Sequence, residues 1–188
     1  MHMPLKIYSI SSTLTHPDVY ASIKDDALHD DIHSFFVMNR NRGDLEERIR
    51  KLDMEFIAGK GYTQGNIVKT DHIPTFSALL FSKRFVDSVG GALKDEMQFF
   101  PCRVLCRGAS LDWFAARITN RFPIVDKELS TYRTLTDGTP ILNNAIYRTG
   151  VEEQFHIARD TDSISYVGVT DLFKDLCEQN GLSIGFEG

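Results

Sequence analysis

Ile164-Ser165-Tyr166-Val167-Gly168-Val169-Thr170-Asp171-Leu172-Phe173-Lys174-Asp175-Leu176-Cys177-Glu178-Gln179-Asn180-Gly181-Leu182-Ser183-Ile184-Gly185-Phe186-Glu187-Gly188 reads as strand, helix, strand. Ile164, Tyr166, Val167 and Val169 form a β-prone run, Thr170 offers an N-cap and Asp171 a first-turn acid. Leu172, Phe173, Leu176 and Cys177 then fall on one helical stripe. Asn180-Gly181 ends the helix, because glycine enters the left-handed region without a Cβ clash, and Leu182, Ile184 and Phe186 alternate as a short strand. A near copy lies 88 residues upstream, where Leu80-Phe81-Ser82-Lys83-Arg84-Phe85-Val86-Asp87-Ser88-Val89 matches Gly168 to Cys177 in pattern. An internal duplication would produce this. The preferred account is one local solution reached twice: a small hydroxyl caps a helix leaving a strand, and a phenylalanine three positions later packs it to the sheet.

Around these units the chain reads as a single α+β domain, 1–188, with a mixed, mainly antiparallel sheet flanked by helices. Its 188 residues, 42% hydrophobic and 25% charged, suit one domain able to bury roughly 70% of its unfolded surface. No apolar run approaches the ~20 residues of a membrane span, and Met1-His2-Met3-Pro4-Leu5-Lys6 lacks the basic and apolar segments of a secretion signal. The expected compartment is therefore the cytoplasm, with no membrane partner. A net charge of -5 is not the basic footprint of a nucleic-acid binder.

Leu5 to Leu14 alternates as a first strand, ended by Thr15-His16-Pro17-Asp18. The acidic stretch from Val19 to Val37 leaves Ile32, Phe35, Phe36 and Val37 open between helix end and strand. Asp44 is placed to cap a helix with Leu45, Ile49, Leu52 and Phe56 on one stripe and with Glu46–Arg50 and Glu47–Lys51 as i,i+4 pairs. Gly59, Gly61 and Gly65 mark a loop, and Thr70 to Pro74 leads into the first strand-helix unit. Met97 to Leu105 and Trp113 to Ile118 are adjacent strands across the turn-like Arg107-Gly108-Ala109-Ser110. Asp137-Gly138 turns the chain again, and Ala145 to Tyr147 and Gln154 to Ala158 are further strand candidates.

Catalytic chemistry finds little support. His29 and His33, at i,i+4, would share a helix face and could hold a metal, but aspartates stand between them and no third ligand is evident. Gly59-Lys60-Gly61-Tyr62-Thr63-Gln64-Gly65 lacks the Lys-Ser/Thr ending of a phosphate loop. Cys102 and Cys106 read as core thiols, since residues four apart on a strand lie ~13 Å apart, beyond the ~7 Å a disulfide spans. No Gly-x-Ser-x-Gly elbow occurs. The expectation is no enzyme, no cofactor and no bound metal.

Five segments from Thr75 to Gly188 resemble, in order, a family of bacterial immunity proteins from polymorphic-toxin loci, immunity family eleven, formerly a domain of unknown function. They are Leu79 to Asp87, with an apolar-Ser-x-x-Phe pattern; Met97 to Val104, an apolar pair before proline; Trp113 to Ile118, an aromatic strand; Val125 to Tyr132, with Asp-x-x-x-Ser-x-Tyr; and Val169 to Asp175 with Gly181 to Phe186. The likeness departs at Ser183-Ile184-Gly185, where the family more often has glycine one residue sooner, and residues 1–74 are a variable part that does not align. The resemblance implies a non-catalytic protein that binds and neutralises a cognate toxin encoded next door. It makes Ser82, Phe85, Pro101, Asp126, Ser130, Tyr132, Gly181 and Phe186 structural positions. For the contact itself, the acidic clusters Asp25, Asp26, Asp30, Asp31, Glu46 and Glu47 could steer toward a basic toxin surface. The competing readings are a ligand-binding or accessory domain with a pocket lined by Tyr62, Trp113 and Tyr132, and a metal hydrolase using His29 and His33. Oligomeric state is left open.

Overall fold

In the computed structural model, which describes residues 4–188, two six-stranded sheets carry the fold and a two-stranded hairpin pairs with neither. In chain order the elements are β1 (Leu5–Ser11), β2 (Ser22–Ile23), α1 (His29–Ile32), α2 (Leu45–Lys51), β3 (Glu55–Ile57), α3 (Gln64–Ile67), β4 (His72–Ile73), β5 (Leu79–Ser82), α4 (Lys83–Val89), β6 (Met97–Cys106) and β7 (Ala109–Ile118). Then come β8 (Arg121–Phe122), β9 (Thr131–Thr134), β10 (Pro140–Asn144), β11 (Thr149–Val151), β12 (Ile157–Asp160), β13 (Val167–Thr170), α5 (Asp171–Gln179) and β14 (Gly185–Glu187). One sheet runs β2-β3-β6-β7-β5-β4; the other runs β11-β1-β13-β12-β8, with β14 also on β1. Pairing is antiparallel except at β3–β6 and β8–β12, so the chain is α+β with mixed, mainly antiparallel sheets.

The β6–β7 hairpin is the longest pairing, in register from Met97↔Ile118 to Cys106↔Ala109. Its turn places Arg107 and Gly108 at positive φ, 47° and 82°, the conformation that matches the twist of a two-residue hairpin. Alternation divides β6 between two cores. Phe100, Cys102, Val104 and Cys106 face a core with Ile32, Phe35, Phe36 and Ile49 from the N-terminal helices. Met97 belongs to a second core built by α4, α5 and both sheets. The cysteines are buried and free, and burial pushes the Cys102 thiol up to about 12, as core thiols require. Pro101 lies beyond the stretch paired by β3, where one strand edge is open and a missing N–H is tolerated.

The two strand-helix units share more than their helix starts. β4 pairs with β5 and β5 with β7, while β12 pairs with β13 and β13 with β1, all antiparallel. The registers correspond: Phe81 faces Phe114 and Val169, 88 positions on, faces Tyr8. β6 then flanks β7 as β14 flanks β1. Side chains follow. Phe85 meets Phe99 edge-on at 6.1 Å, Phe173 meets Phe186 edge-on at 6.2 Å, and Phe85 and Phe173 touch each other at 5.9 Å. In the second unit the strand after the helix returns to the chain's own N-terminus, so β1 is an inner strand of the sheet.

Two carboxylates tie the units reciprocally. Asp71, just before β4, accepts from the Ser183 N–H before β14 at 2.7 Å, and also from Ser82 and Arg84. Glu96, just before β6, accepts from the N–H groups of His156 and Ile157 at the start of β12, both within 2.9 Å. Burial pushes the Glu96 carboxyl up, but its bonds to His156 and Ile157 outweigh that and hold it below the usual carboxylate range.

Several local expectations need correction. β1 ends at Ser11 rather than Leu14, and the strand expected from Ile164 begins at Val167. Residues 33–37 are helical, a π turn that buries Phe35, Phe36 and Val37. Phe56 leaves the α2 stripe for β3, because the helix ends at Lys51. Asp44 occupies the N-cap position without a side-chain cap bond. Ser82 caps α4 through the Phe85 N–H at 3.0 Å, but Thr170 does not cap α5; its hydroxyl donates to the Phe155 carbonyl. Of Ala145 to Tyr147 only Tyr147 forms a bridge, to Val125, and the strand expected from Gln154 starts at Ile157. Gly181 sits at φ 63° after α5, as its C-terminal role demands.

Phe173→Ala and Phe85→Ala are each expected to cost about 3–5 kcal/mol of unfolding free energy. Because the rings touch, the double variant should fall short of the sum by about 0.5–1.5 kcal/mol. Urea titration of the four proteins measures this; strict additivity would show that the two units do not depend on each other here.

Candidate functional site

Three surfaces hold the side chains that could act on another molecule. The first is the acidic face. α1 and α2 lie side by side, which brings both acidic clusters together, but much of their charge is locally matched. Asp31 pairs with Arg48 at 3.2 Å, Glu46 with Arg50 at 2.7 Å and Glu47 with Lys51 at 2.5 Å. Asp25 accepts from the Ala27 N–H and caps a short 3-10 turn, leaving Asp26 and Asp30 as the exposed remainder. Exposed pairs of this kind contribute little stability, and they also blunt the field that would steer a basic partner.

His29 and His33 do share a helix face, with rings stacked at 5.8 Å. Among the described residues no cluster of three metal-type side chains forms around them or elsewhere. The glycine-rich loop also has a packing role. A Cβ on Gly59 would lie 2.4 Å from the Asp18 carboxylate and 2.6 Å from the Tyr20 carbonyl, so glycine there lets residues 18–20 pass. Arg107 fixes the loop by donating to the carbonyls of Lys60 and Tyr62.

The second surface is the hairpin β9–β10, which pairs with neither sheet. Its base is built by two of the family-like positions. Asp126 accepts from the N–H groups of Glu128 and Leu129, each at 3.0 Å, and Ser130 accepts from the Ile146 N–H at 2.9 Å. Those roles are structural. Tyr132 is not: it is 46% exposed, and Leu129, Leu135 and Ile146 are also open to solvent. The result is an apolar, partly aromatic surface on a hairpin fastened at its root.

The third is a cleft of about 740 Å³ between β1, the β12–β13 turn and residues 72–79. Tyr20 and Phe76 stack at its edge, centroids 4.9 Å apart, with Phe76 77% exposed. His72 lines the cleft from below, 1% exposed. Its Nδ1 lies 3.0 Å from the Leu80 carbonyl, which makes Nδ1 the protonated nitrogen, and its Nε2 has no partner. Burial pulls this histidine down to about 4, against the opposing pull of the Leu80 carbonyl. The aromatic residues expected to share a pocket do not meet. Tyr62 is buried with its hydroxyl 3.2 Å from that of Ser12, Trp113 borders a small hollow beside Asp71 and Arg84, and Tyr132 is on the hairpin.

No protein-family model matches the chain, and no curated protein is similar to it. The likeness to immunity family eleven therefore stands on the five segments quoted above. No helix among the described residues is long and apolar enough to cross a membrane. Sequence reasoning passed over His72, Phe76, Asp71, Glu96 and Arg159, since each acquires its role from partners distant in sequence.

His72 yields a pH test. Between its ordinary 6.5 and about 4, the unfolded chain binds a proton that the folded one refuses. This group's contribution is thus complete above about pH 6.5 and is lost as pH falls toward 4. Wild type should lose about 2 kcal/mol more than His72→Gln between pH 7 and pH 5. Urea unfolding at both values checks this, and equal losses would refute the neutral, buried imidazole.

Proposed function

We propose that this chain is an immunity protein, binding and neutralising a cognate bacterial toxin through protein–protein contact without catalysis. The observation that carries the reading is the β9–β10 hairpin, which hydrogen-bonds to neither sheet, packs Leu142 on the core beneath it and leaves Leu129, Tyr132, Leu135 and Ile146 exposed on or beside it. A lone two-stranded hairpin has little stability of its own. Anchoring by Asp126 and Ser130 pre-orders it, which reduces the entropy lost when a partner docks. Tight inhibition needs roughly 800 Å² per partner and a few aromatic or charged anchors, and Tyr132 is suited to be one. The segment-by-segment resemblance from Thr75 to Gly188 gives the same direction. Asp25, Asp26 and Asp30, which pair with no lysine or arginine among the described residues, supply a modest negative field beside the matched pairs, with the His29 ring 3.5 Å from Asp30. The toxin is expected to be the product of an adjacent reading frame.

Co-expression with that neighbour should give a complex that co-purifies and restores growth. Tyr132→Ala should weaken the complex by about 2 kcal/mol, roughly thirtyfold, with an unchanged melting temperature. Asp26→Asn with Asp30→Asn should mainly slow association and flatten its salt dependence. A harmless or non-binding neighbour would remove the reading; equal loss of binding and stability in Tyr132→Ala would make the residue structural.

A further inference from the structure

Ser9, Ile10, Ser11 and Ser12 all line the cleft of about 740 Å³, and so do Ser165, Tyr166 and Val167. Side chains of consecutive strand residues alternate between faces, so a cleft that meets four in a row looks onto the strand's edge. The cleft is thus the gap between two main-chain edges, that of β1 and that of the segment leading into β13. The two edges are joined at Ile7↔Thr170 and Tyr8↔Val169 and part beyond Tyr8. On this side of β1 the Lys6 N–H donates to the Asp171 carboxylate at 2.8 Å, and Tyr8 faces Val169. Two residues on, the N–H and C=O of Ile10 point the same way. No strand among the described residues pairs them there, since β14 takes the opposite edge. Across the gap the Val167 carbonyl is already occupied by the Tyr147 hydroxyl at 3.1 Å.

This edge is unguarded by its own sequence. Sheets ordinarily protect an open strand with lysine, proline or a covering element, and Ser9-Ile10-Ser11-Ser12 carries neither residue. The lining is also one-sided in charge: Glu187, exposed at the end of β14, is its only charged side chain, with no lysine or arginine beside it. At the rim the Tyr20–Phe76 stack offers an apolar contact. We propose that the cleft binds an extended, basic peptide segment of another protein, which adds as a strand to the β1 edge at Ile10. A main chain supplies the acceptor and donor that Ile10 lacks, a lysine or arginine side chain meets Glu187, and an apolar side chain packs on Phe76. The cleft shares no residue with the exposed patch of Leu129, Tyr132, Leu135 and Ile146, so the inference goes beyond toxin binding and does not depend on it.

Random heptapeptides displayed on phage should be panned against the full chain, and the most enriched sequence synthesised with and without N-methylation of alternate amides. Enrichment of lysine or arginine among β-prone residues is expected, and the bound peptide should slow hydrogen exchange at the Ile10 amide. N-methylation on the bonding edge should weaken binding about tenfold. Glu187→Lys should do the same, about tenfold, by turning attraction into repulsion, and Phe76→Ala should cost about fivefold. Both side chains are exposed, so both variants should keep the wild-type melting temperature; if either fails to fold, the N-methylated peptide decides. The proposal is overturned by failure to enrich any peptide, by enrichment that persists on Glu187→Lys, or by a bound peptide that leaves Ile10 exchange unchanged and perturbs Tyr132 instead.

Discussion

The contact between Phe85 and Phe173, 5.9 Å apart, is the point at which the two halves of this molecule meet. Each ring hangs from the first turn of a helix that leaves a strand, and each meets a second phenylalanine edge-on across its own sheet, Phe99 or Phe186. For the rings to meet, the helices must enter one shared core from two different sheets. That condition fixes where the strands lie. It also explains the reciprocal carboxylates, because segments that precede β4 and β12 end beside the segments that precede β14 and β6. An arrangement in which residue i of one unit contacts residue j of the other, and the reverse, is the geometry of a two-fold interface. Here it occurs inside one chain.

The first unit finds all its strands in consecutive sequence, from β4 to β7. The second pairs β13 and β14 with β1, so Leu5 to Ser11 lie between β13 on one side and β11 and β14 on the other. Residues 4–74 are therefore divided in purpose. The first strand completes one sheet, β2, β3 and β4 extend the other, and the helices pack on one face of it. A segment that does not align with a family can still be essential to closing the fold.

What could be read from sequence was local. The β-prone run from Met97 to Leu105, the helix stripe through Phe173 and Cys177, and Gly181 after it all depend on neighbours within a few residues, and the structure follows them. The Thr170 cap failed because a competing acceptor, the Phe155 carbonyl, comes from β12's side of the sheet. The Phe56 stripe failed because β6 offered that segment a parallel partner. Tyr132 was grouped with Asp126 and Ser130 by motif, yet only the latter two reach a backbone partner. The site was less legible still. A histidine at 72 or an arginine at 159 becomes unusual only when burial removes water from it and tertiary structure withholds a partner.

Both the hairpin root and the packing of the N-terminal helical segment depend on β12. Arg159 bonds the Ile164 and Phe36 carbonyls; Asp160, on the opposite face, holds Ile124 and Val125 at the root of the hairpin segment and also the turn through Asp162 and Ser163. Lys127 closes the circle by pairing with Asp162 at 2.7 Å. The alternation of a two-residue period thus places a cation and an anion on adjacent residues and prevents them from neutralising each other. Each is free to serve its own side, the carboxylate with four backbone donors and the guanidinium with the carbonyls of Ile164 and Phe36. Had the two shared a face, the strand would hold a buried ion pair, and neither the hairpin root nor the Phe36 carbonyl would have its partner.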